Sequence, residues 1–368
     1  MGISARLQHV LAGKYRVESF VGAGGVGLVY AATDLRSQER VAVKFLRSEL
    51  ASQPELTRRF IKEAEAVAQL EHPNAVRLIA LDKDPKYGLY MVLELLSGES
   101  LEVHLARVKR LPLEQACEWL LPIMDMLEHA HAQGLLHRDI KPANIFLHEP
   151  SASANGHIVP KLLDFGLVRV MSDTQGLNTK TGQVLGTPAH MSPEQARGIK
   201  GLSASSDVWA LAVVLYRCLS GVEPFDRGGI NGTVLAVIRG EYRPLDEICP
   251  ELPAAKALGE VLGRALRVNP KARTQSISQL RAQLLRVLDP AQLRRSGTVR
   301  RSSRLRRGLP NALPNAAQAA LVLAALGVLL MLVWWAQDAT HEEPAPAPVQ
   351  SVSVETARPQ ATPGAQTP

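Results

Sequence analysis

The stretch "HRDIKPAN" at residues 137–144 places two cations, a carboxylate and an amide in one short loop. Side chains of these types can exchange a proton or hold a charged ligand. A long apolar segment precedes the loop, and the apolar triplet at 145–147 follows it. A solvated turn is the simplest explanation, but charges bracketed by buried chain need partners. The rest of the sequence must therefore supply those partners.

A second stretch, "VGAGGVGLVY" at residues 21–30, has glycines at the GxGxxG spacing. The spacing alone is weak, because a flexible turn and a phosphate-binding loop both use glycine. A dinucleotide-binding fold would open a helix here, whereas the β-prone residues 28–30 favour a strand. The pattern therefore predicts a hairpin between two strands, where backbone amides can approach a polyphosphate.

A lysine and a glutamate are expected to meet between a strand and the helix that follows it. In "VAVKFL" side chains alternate between the two faces of a strand, so Lys44 shares a face with Ala42. In the next helix Glu63 falls on the apolar stripe and not on the polar face. A carboxylate that points inwards needs a cation, and Lys44 is the simplest candidate. The alternative is a lysine exposed to solvent.

The composition is that of a globular protein, with 46% hydrophobic and 21% charged residues among 368. The three cysteines lie far apart without metal-binding spacing, which indicates a reducing compartment. The net charge of +7 is matched by seven arginines, with no acid, at residues 291–310. The remainder is close to neutral, which argues against a nucleic-acid partner.

Beyond the globular part, the composition predicts a linker at 291–314, a membrane-spanning helix at 315–336 and a tail at 337–368. Residues 319–336 are wholly apolar, and about 20 helical residues cross a bilayer core. A buried core helix is the alternative, but Trp334 and Trp335 are placed like an interfacial aromatic belt. The upstream arginines orient the N-terminal side to the cytoplasm. The proline-rich tail is expected to be disordered and extracytoplasmic.

Taken in order, these stretches and "LLDFGLV" at 162–168 resemble a eukaryotic-like serine/threonine protein kinase of the bacterial transmembrane kind. The resemblance implies an α+β, bilobal protein kinase fold at residues 15–290. A small β-rich N-lobe with one helix (15–96) would follow an N-terminal lead (1–14), and a larger helical C-lobe would occupy 97–290. It also implies a single-pass protein of the bacterial inner or cell membrane with its kinase domain in the cytoplasm.

The resemblance implies an ATP site in the N-lobe and at the hinge between the lobes. Lys44 would reach the α- and β-phosphates, Leu93 would be the gatekeeper, and the backbone from Glu94 to Leu96 would bond adenine. The implied ATP-binding set is Val21, Gly22, Ala23, Gly24, Gly25, Val26, Gly27, Leu28, Val29, Ala42, Lys44, Glu63, Glu94, Leu96 and Phe146. Val29, Ala42 and Phe146 of this set would enclose the adenine ring.

The resemblance also assigns roles in the opening loop. Asp139 would accept the proton of the substrate hydroxyl, and Lys141 would neutralise charge on the transferred phosphoryl group. Asn144 and Asp164 would hold Mg²⁺, with Mn²⁺ as an alternative cation. Phosphoryl transfer needs positioning and charge neutralisation more than covalent help, which explains this mixture of residue types.

Further residues are implied to regulate or support the site. Arg138 is of the kind that a phosphorylated activation segment neutralises, and Thr179 and Thr181 are the expected autophosphorylation sites. Thr187 would bond the base and the lysine. The implied structural residues are Arg138, Thr187, Glu194, Asp207 and Arg273. Of these, Glu194 would pair with Arg273, and Asp207 would anchor the catalytic loop.

The chain departs from the family pattern at three places. His190 stands where relatives usually have an aromatic residue, and Ser192 replaces an alanine. Both leave the peptide preference open. An insertion, "HEPSASANGHIVPK" at residues 148–161, is expected to be a surface excursion with no catalytic role.

Three functions are weighed on these grounds. The first is an active kinase that phosphorylates Ser and Thr of protein substrates and of itself, with a homodimer as a candidate arrangement and membrane lipid as a further contact. The second is a membrane-anchored pseudokinase scaffold, disfavoured because the catalytic set is present. The third is a small-molecule kinase of related fold, disfavoured because such enzymes lack the segment "GTPAHMSPE".

Overall fold

The computed structural model of the protein describes residues 6–24, 27–47, 53–150, 157–165, 188–252 and 254–288. The N-terminal part is a six-stranded antiparallel sheet in the order β1-β2-β3-β4-β6-β5. Its strands are β1 (Val10–Leu11), β2 (Tyr15–Ala23), β3 (Gly27–Asp34), β4 (Arg40–Leu46), β5 (Leu78–Asp84) and β6 (Gly88–Glu94). The predicted hairpin between two strands at the glycine-rich stretch is therefore confirmed.

The alternation in β4 places its side chains as the sequence predicts. Val41, Val43 and Phe45 point into an apolar core on one face of the sheet. Lys44 is on the opposite face, towards helix α1 (Pro54–Gln69). Glu63 lies on the buried side of that helix, so the two charged residues face each other.

Within the stretch expected as a lead ahead of the domain, residues 10 and 11 form the first strand of the sheet. Leu11 in β1 pairs with Tyr15 in β2 and is completely buried. The guanidinium of Arg6 lies 5.1 Å from the ring centre of Phe45 and 5.2 Å from that of Tyr87. A strand of two residues is too short to show alternation, which is why the sequence pattern does not reveal it.

The C-lobe is helical and is built around one long apolar helix. Its helices are α2 (Leu101–Val108), α3 (Leu113–Ala132), α4 (Pro193–Ala196), α5 (Ala204–Ser220), α6 (Ile230–Arg239), α7 (Leu245–Ile248), α8 (Ala255–Ala265) and α9 (Ile277–Val287). Residues 205–216 of α5 are all buried, as expected for a helix that is apolar all round. The predicted bilobal α+β architecture is confirmed.

A small antiparallel sheet connects the helical part to the site. It contains β7 (Gly98–Ser100), β8 (Ile145–His148) and β9 (Val159–Leu162) in that order. The 148–161 stretch was expected to be a surface excursion, but both of its ends are strand, and Pro160 and Lys161 are buried. The expectation was wrong at the two ends of the stretch, because the residues beside its polar middle part are strand residues of the small sheet.

The predicted linker at 291–314, membrane span at 315–336 and tail at 337–368 lie outside the described residues. Across the described ranges, every helix is too short or too polar to cross a bilayer.

Candidate active site

A buried lysine joins the two lobes at the centre of the site. Lys44 Nζ donates to Glu63 Oε1 at 2.7 Å and to Asp164 Oδ1 at 2.6 Å. The lysine and glutamate side chains are almost completely buried, whereas that of Asp164 is 51% exposed. The ion pair expected between Lys44 and Glu63 is thus present, and Asp164 adds a second carboxylate on the side open to a ligand.

The charges of this cluster depend on each other. Burial raises the pKa of Glu63 to about 7, because Lys44 only partly offsets the lost solvation and Asp164 adds repulsion. Burial alone would lower the pKa of Lys44, but Asp164 and Glu63 together raise it above its ordinary value. The lysine therefore remains a fixed cation, as phosphate binding requires.

The predicted base lies in a loop that holds its carboxylate from two sides. Asp139 Oδ2 accepts from Lys141 Nζ at 2.9 Å and from Asn144 Nδ2 at 3.1 Å. The same amide nitrogen donates to the Asp139 carbonyl at 2.8 Å. Pro142 begins the 3₁₀ turn that carries Asn144, where its fixed φ suits the first helical position. Lysine, aspartate and asparagine are thereby brought to one point.

The oxygen donors present fit a hard divalent cation. Asn144 uses its amide nitrogen for Asp139, and its amide oxygen accepts no hydrogen bond from a described residue. Asp164 presents a half-exposed carboxylate. Magnesium is commonly bound by one or two protein oxygens together with substrate phosphates, which matches this sparse donor set.

Asp207, on α5, holds the backbone at the start of the loop. Its Oδ2 accepts from the His137 amide at 2.9 Å and its Oδ1 from the Arg138 amide at 2.8 Å. His131 Nε2 donates to Oδ2 at 2.8 Å. Burial opposes the Asp207 charge, but the bond from His131 and the surrounding donors keep its pKa below the ordinary value. Arg138 has φ +66, so these bonds stabilise a left-handed backbone that costs about 1–3 kcal/mol.

The His137 ring fixes the chain on the other side of the loop. Its Nδ1 accepts from the Asp139 amide at 3.3 Å, and its Nε2 lies 2.9 Å from the Leu163 carbonyl. Burial lowers the pKa of His137, so the ring is neutral with its hydrogen on Nε2. The adjacent Asp164 has φ +49, a second strained position at the site.

Glycine is required at one position of the hairpin. A Cβ at Gly27 would lie 2.7 Å from the carbonyl oxygen of Phe45, which is shorter than van der Waals contact allows. The Gly24 amide donates to the Gly27 carbonyl at 2.9 Å and closes the turn. Gly22 and Ala23 pair with Val29 and Leu28 across the hairpin.

The residues expected around adenine lie on both sheets. Val29 and Ala42 are on β3 and β4, while Phe146 is on β8 and is partly exposed. Glu94 ends β6, and Leu96 follows in the connection to β7. The structure thus places these residues on strands of the two sheets and in the connection between them.

The comparison with known families decides what this arrangement is. The family model described as the protein kinase domain matches residues 15–285. The chain belongs to the protein kinase family. It is 33% identical over 295 residues to the serine/threonine-protein kinase pkn3 of Myxococcus xanthus, covering 80% of this chain and 53% of that protein. It is 36% identical over 278 residues to the serine/threonine-protein kinase PknA of Mycobacterium tuberculosis, covering 74% and 61%.

The kinase chain therefore spans only about half to three fifths of the length of these relatives. Among solved structures, the kinase domain of Mycobacterium tuberculosis PknI is similar with a TM-score of 0.59 at 24% identity. The match covers 76% of this chain and 98% of that one. At this identity the likeness supports the fold alone.

The predicted structural pair of the kinase C-lobe is present. Arg273 Nη1 and Nη2 donate to the two oxygens of Glu194 at 2.8 Å each, and Ser206 Oγ donates to Glu194 Oε1 at 2.7 Å. Ser192, a departure from the family pattern, caps α4 by accepting from the Gln195 amide. This short helix is therefore fixed by the cap at its first turn and by the ion pair of Glu194.

Several predicted site residues lie outside the described residues: Gly25, Val26, Thr179, Thr181 and Thr187. Val21 is described and is 56% exposed on β2. Sequence reasoning missed Lys161, which is buried on β9 and bonded to Glu94. The sequence alone gives no signal for this contact, because a lysine on a short strand is equally compatible with solvent.

Proposed function

We propose that this protein is a serine/threonine kinase that transfers the γ-phosphoryl group of ATP to hydroxyls of protein substrates and of itself. The observation that carries the proposal is the bonding of Lys44 to both Glu63 and Asp164, at 2.7 and 2.6 Å. Asp139, Lys141 and Asn144 form a second bonded group beside it. Phosphoryl transfer uses a cation that binds phosphate, a carboxylate that binds a metal ion, and a base.

Each side chain has a defined task in this proposal. Asp139 accepts the substrate hydroxyl proton, and Lys141 keeps its carboxylate oriented and neutralises nearby phosphoryl charge. Lys44 holds the α- and β-phosphates while Glu63 fixes the lysine. Asn144 and Asp164 would hold magnesium, or manganese in its place, which would neutralise charge on the β- and γ-phosphates. The amides of the glycine hairpin cover the phosphates.

The proposal extends to activation by phosphorylation. Arg138 Nε is buried and has no hydrogen-bond partner among the described residues, which supports an added anion near the loop. A phosphorylated Thr179 or Thr181 would supply that anion and order its segment. Mass spectrometry of the active enzyme should find phosphate between residues 174 and 187. An active, wholly unmodified segment would refute this step.

The proposal also includes a membrane anchor at residues 315–336, with the kinase domain in the cytoplasm. The apolar run and the upstream arginines support it. Each arginine near an anionic leaflet would contribute about 1 kcal/mol of attraction to lipid. External protease on intact bacterial cells should remove only the tail, whereas digestion of the kinase domain would contradict the orientation. Crosslinking in the same membranes would test for a homodimer.

The central test is transfer of labelled phosphate from ATP to a generic basic protein in the presence of magnesium. Lys44→Ala and Asp139→Asn should each lower the rate by about 100-fold or more. Matched controls are Lys14→Ala and Asp125→Asn, which remove surface members of exposed or partly exposed pairs. Nucleotide binding without transfer by the wild type would favour a pseudokinase scaffold. Transfer only to small molecules would favour the related small-molecule kinases.

A further inference from the structure

Lys161 makes a buried connection between the hinge and the strand that leads to Asp164. Its Nζ donates to Glu94 Oε1 at 2.5 Å and lies 3.4 Å from the Ala75 carbonyl. Its side chain is 11% exposed and that of Glu94 is 19% exposed. We call Lys161, Glu94 and the segment 74–77 the hinge junction.

The hinge junction gathers three chain segments in one place. Glu94 Oε1 also accepts from the Arg77 amide at 2.8 Å, and the Glu94 amide donates to the Arg77 carbonyl at 3.0 Å. Asn74 Nδ2 donates to the Pro160 carbonyl at 2.7 Å, and the Leu162 amide donates to the Asn74 carbonyl at 2.8 Å. The end of β6, the segment that precedes β5 and strand β9 are therefore bonded to one another.

The hinge junction adjoins the proposed nucleotide site both at Glu94 and at Lys161. Glu94 is the first residue of the backbone segment that is proposed to bond adenine. The bonds made by the Glu94 side chain in the junction therefore hold this backbone in place. On β9, Lys161 is paired across the strand with Phe146, which is expected beneath the adenine ring. Two residues further on, the Leu163 amide donates to the Asn144 carbonyl at 2.8 Å. A shift of the junction would move the hinge and the floor of the site together.

We infer that Lys161 is a positioning residue for the nucleotide: through Glu94 it sets the place of the hinge backbone relative to the strand that carries Asp164. The inference rests on the proposed function for its biological meaning. A purely structural pair would behave differently, because replacing both members of a buried ion pair by apolar residues often restores stability. In such a double replacement the position of the hinge backbone, and with it the nucleotide affinity, would not be restored.

The test uses the full chain and measures the dissociation constant of ADP with magnesium by calorimetry, together with the thermal midpoint. Lys161→Met should weaken ADP binding about tenfold, which is the effect of losing one hydrogen bond between the hinge backbone and adenine. Lys161→Met with Glu94→Met should recover most of the thermal midpoint and keep the weakened binding. The matched control is Arg110→Met, which breaks an exposed pair with Glu251 and should change neither quantity.

Two results would overturn the inference. One is ADP affinity within twofold of wild type in Lys161→Met, and the other is recovery of affinity together with stability in the double variant. The double variant also keeps the test decisive if the single variant does not fold. A wild type that binds ADP but transfers no phosphate would count against the proposed function and leave this measurement intact.

Discussion

Replacing Arg273 by methionine should test how the C-lobe is held together. The guanidinium donates twice to Glu194, once to the Ser205 carbonyl at 2.8 Å and once to the Arg267 carbonyl at 2.9 Å. It also lies 5.0 Å from the ring centre of Trp209. Methionine fills part of the volume but satisfies none of these acceptors.

The expected loss follows from these contacts. Breaking a buried ion pair by removing one partner costs about 3–5 kcal/mol, because the remaining charge stays buried. Glu194 would keep only Ser206 among the side-chain donors described here. Against a total stability of about 5–15 kcal/mol this loss is large. The thermal midpoint should fall by roughly 10 °C.

The pH dependence has a defined sign. Burial opposes the charge of Glu194, but Arg273 outweighs it and lowers the pKa of that carboxyl. In the wild type the stabilisation is complete above the ordinary glutamate pKa and is lost as pH falls through the lower folded value. Without Arg273, burial should raise the pKa of Glu194, so acid relieves the penalty. The stability difference between the two proteins should therefore narrow from about pH 7.5 to about pH 5.

Urea unfolding at these two pH values measures the difference. Glu194→Gln combined with Arg273→Met should regain part of the loss, because the buried charge is removed with its partner. Arg110→Met is the control, since its pair with Glu251 is exposed and should contribute less than about 1 kcal/mol. A loss below about 1 kcal/mol in Arg273→Met, or one that grows in acid, would refute the reasoning.

Three further outcomes are expected. Gly27→Val should destabilise the N-lobe by about 1–3 kcal/mol in urea unfolding, because its Cβ would meet a backbone oxygen, whereas Gly229→Ala, with open space at its Cβ, should cost less than about 1 kcal/mol. Asp207→Asn should lower kcat and change the KM for ATP little, because one carboxylate oxygen is replaced by an NH₂ donor that faces backbone amides. A kcat equal to that of the wild type would contradict this. Arg6→Ala should lower the free energy of unfolding by about 2–4 kcal/mol through lost cation–aromatic contacts and a cavity, and an unchanged urea midpoint would exclude that role.

The parts of the site that the sequence predicts are those governed by local periodicity. Lys44 and Ala42 share a face because strands alternate, and Glu63 is inward because the helix repeats every 3.6 residues. Each pattern extends over a whole element, so a charged residue on an apolar face stands out. The Lys44–Glu63 ion pair can therefore be predicted from two neighbouring elements, without information on segments far away in the sequence.

The parts that sequence reasoning missed depend on contacts between distant segments. Arg6 is buried against rings from three different strands or turns, and nothing near it in sequence indicates this. Lys161 reaches Glu94 across 67 positions. A buried cation of this kind is visible only when its partner is known, because the same residue on a short strand is equally compatible with solvent.

The position of Glu63 has a consequence for how the site is assembled. Val67 and Leu70, at the end of α1, belong to the same apolar core as the helices of the C-lobe. Lys44 instead stands on a strand whose other face belongs to the separate N-lobe core, with Val43 and Phe45. The Lys44–Glu63 bond therefore joins two independently packed cores. Loosening the N-lobe core should therefore lengthen this bond and leave Asp139 in place, because the Asp139 loop is held from α5 and packs through Ile140 into the other core.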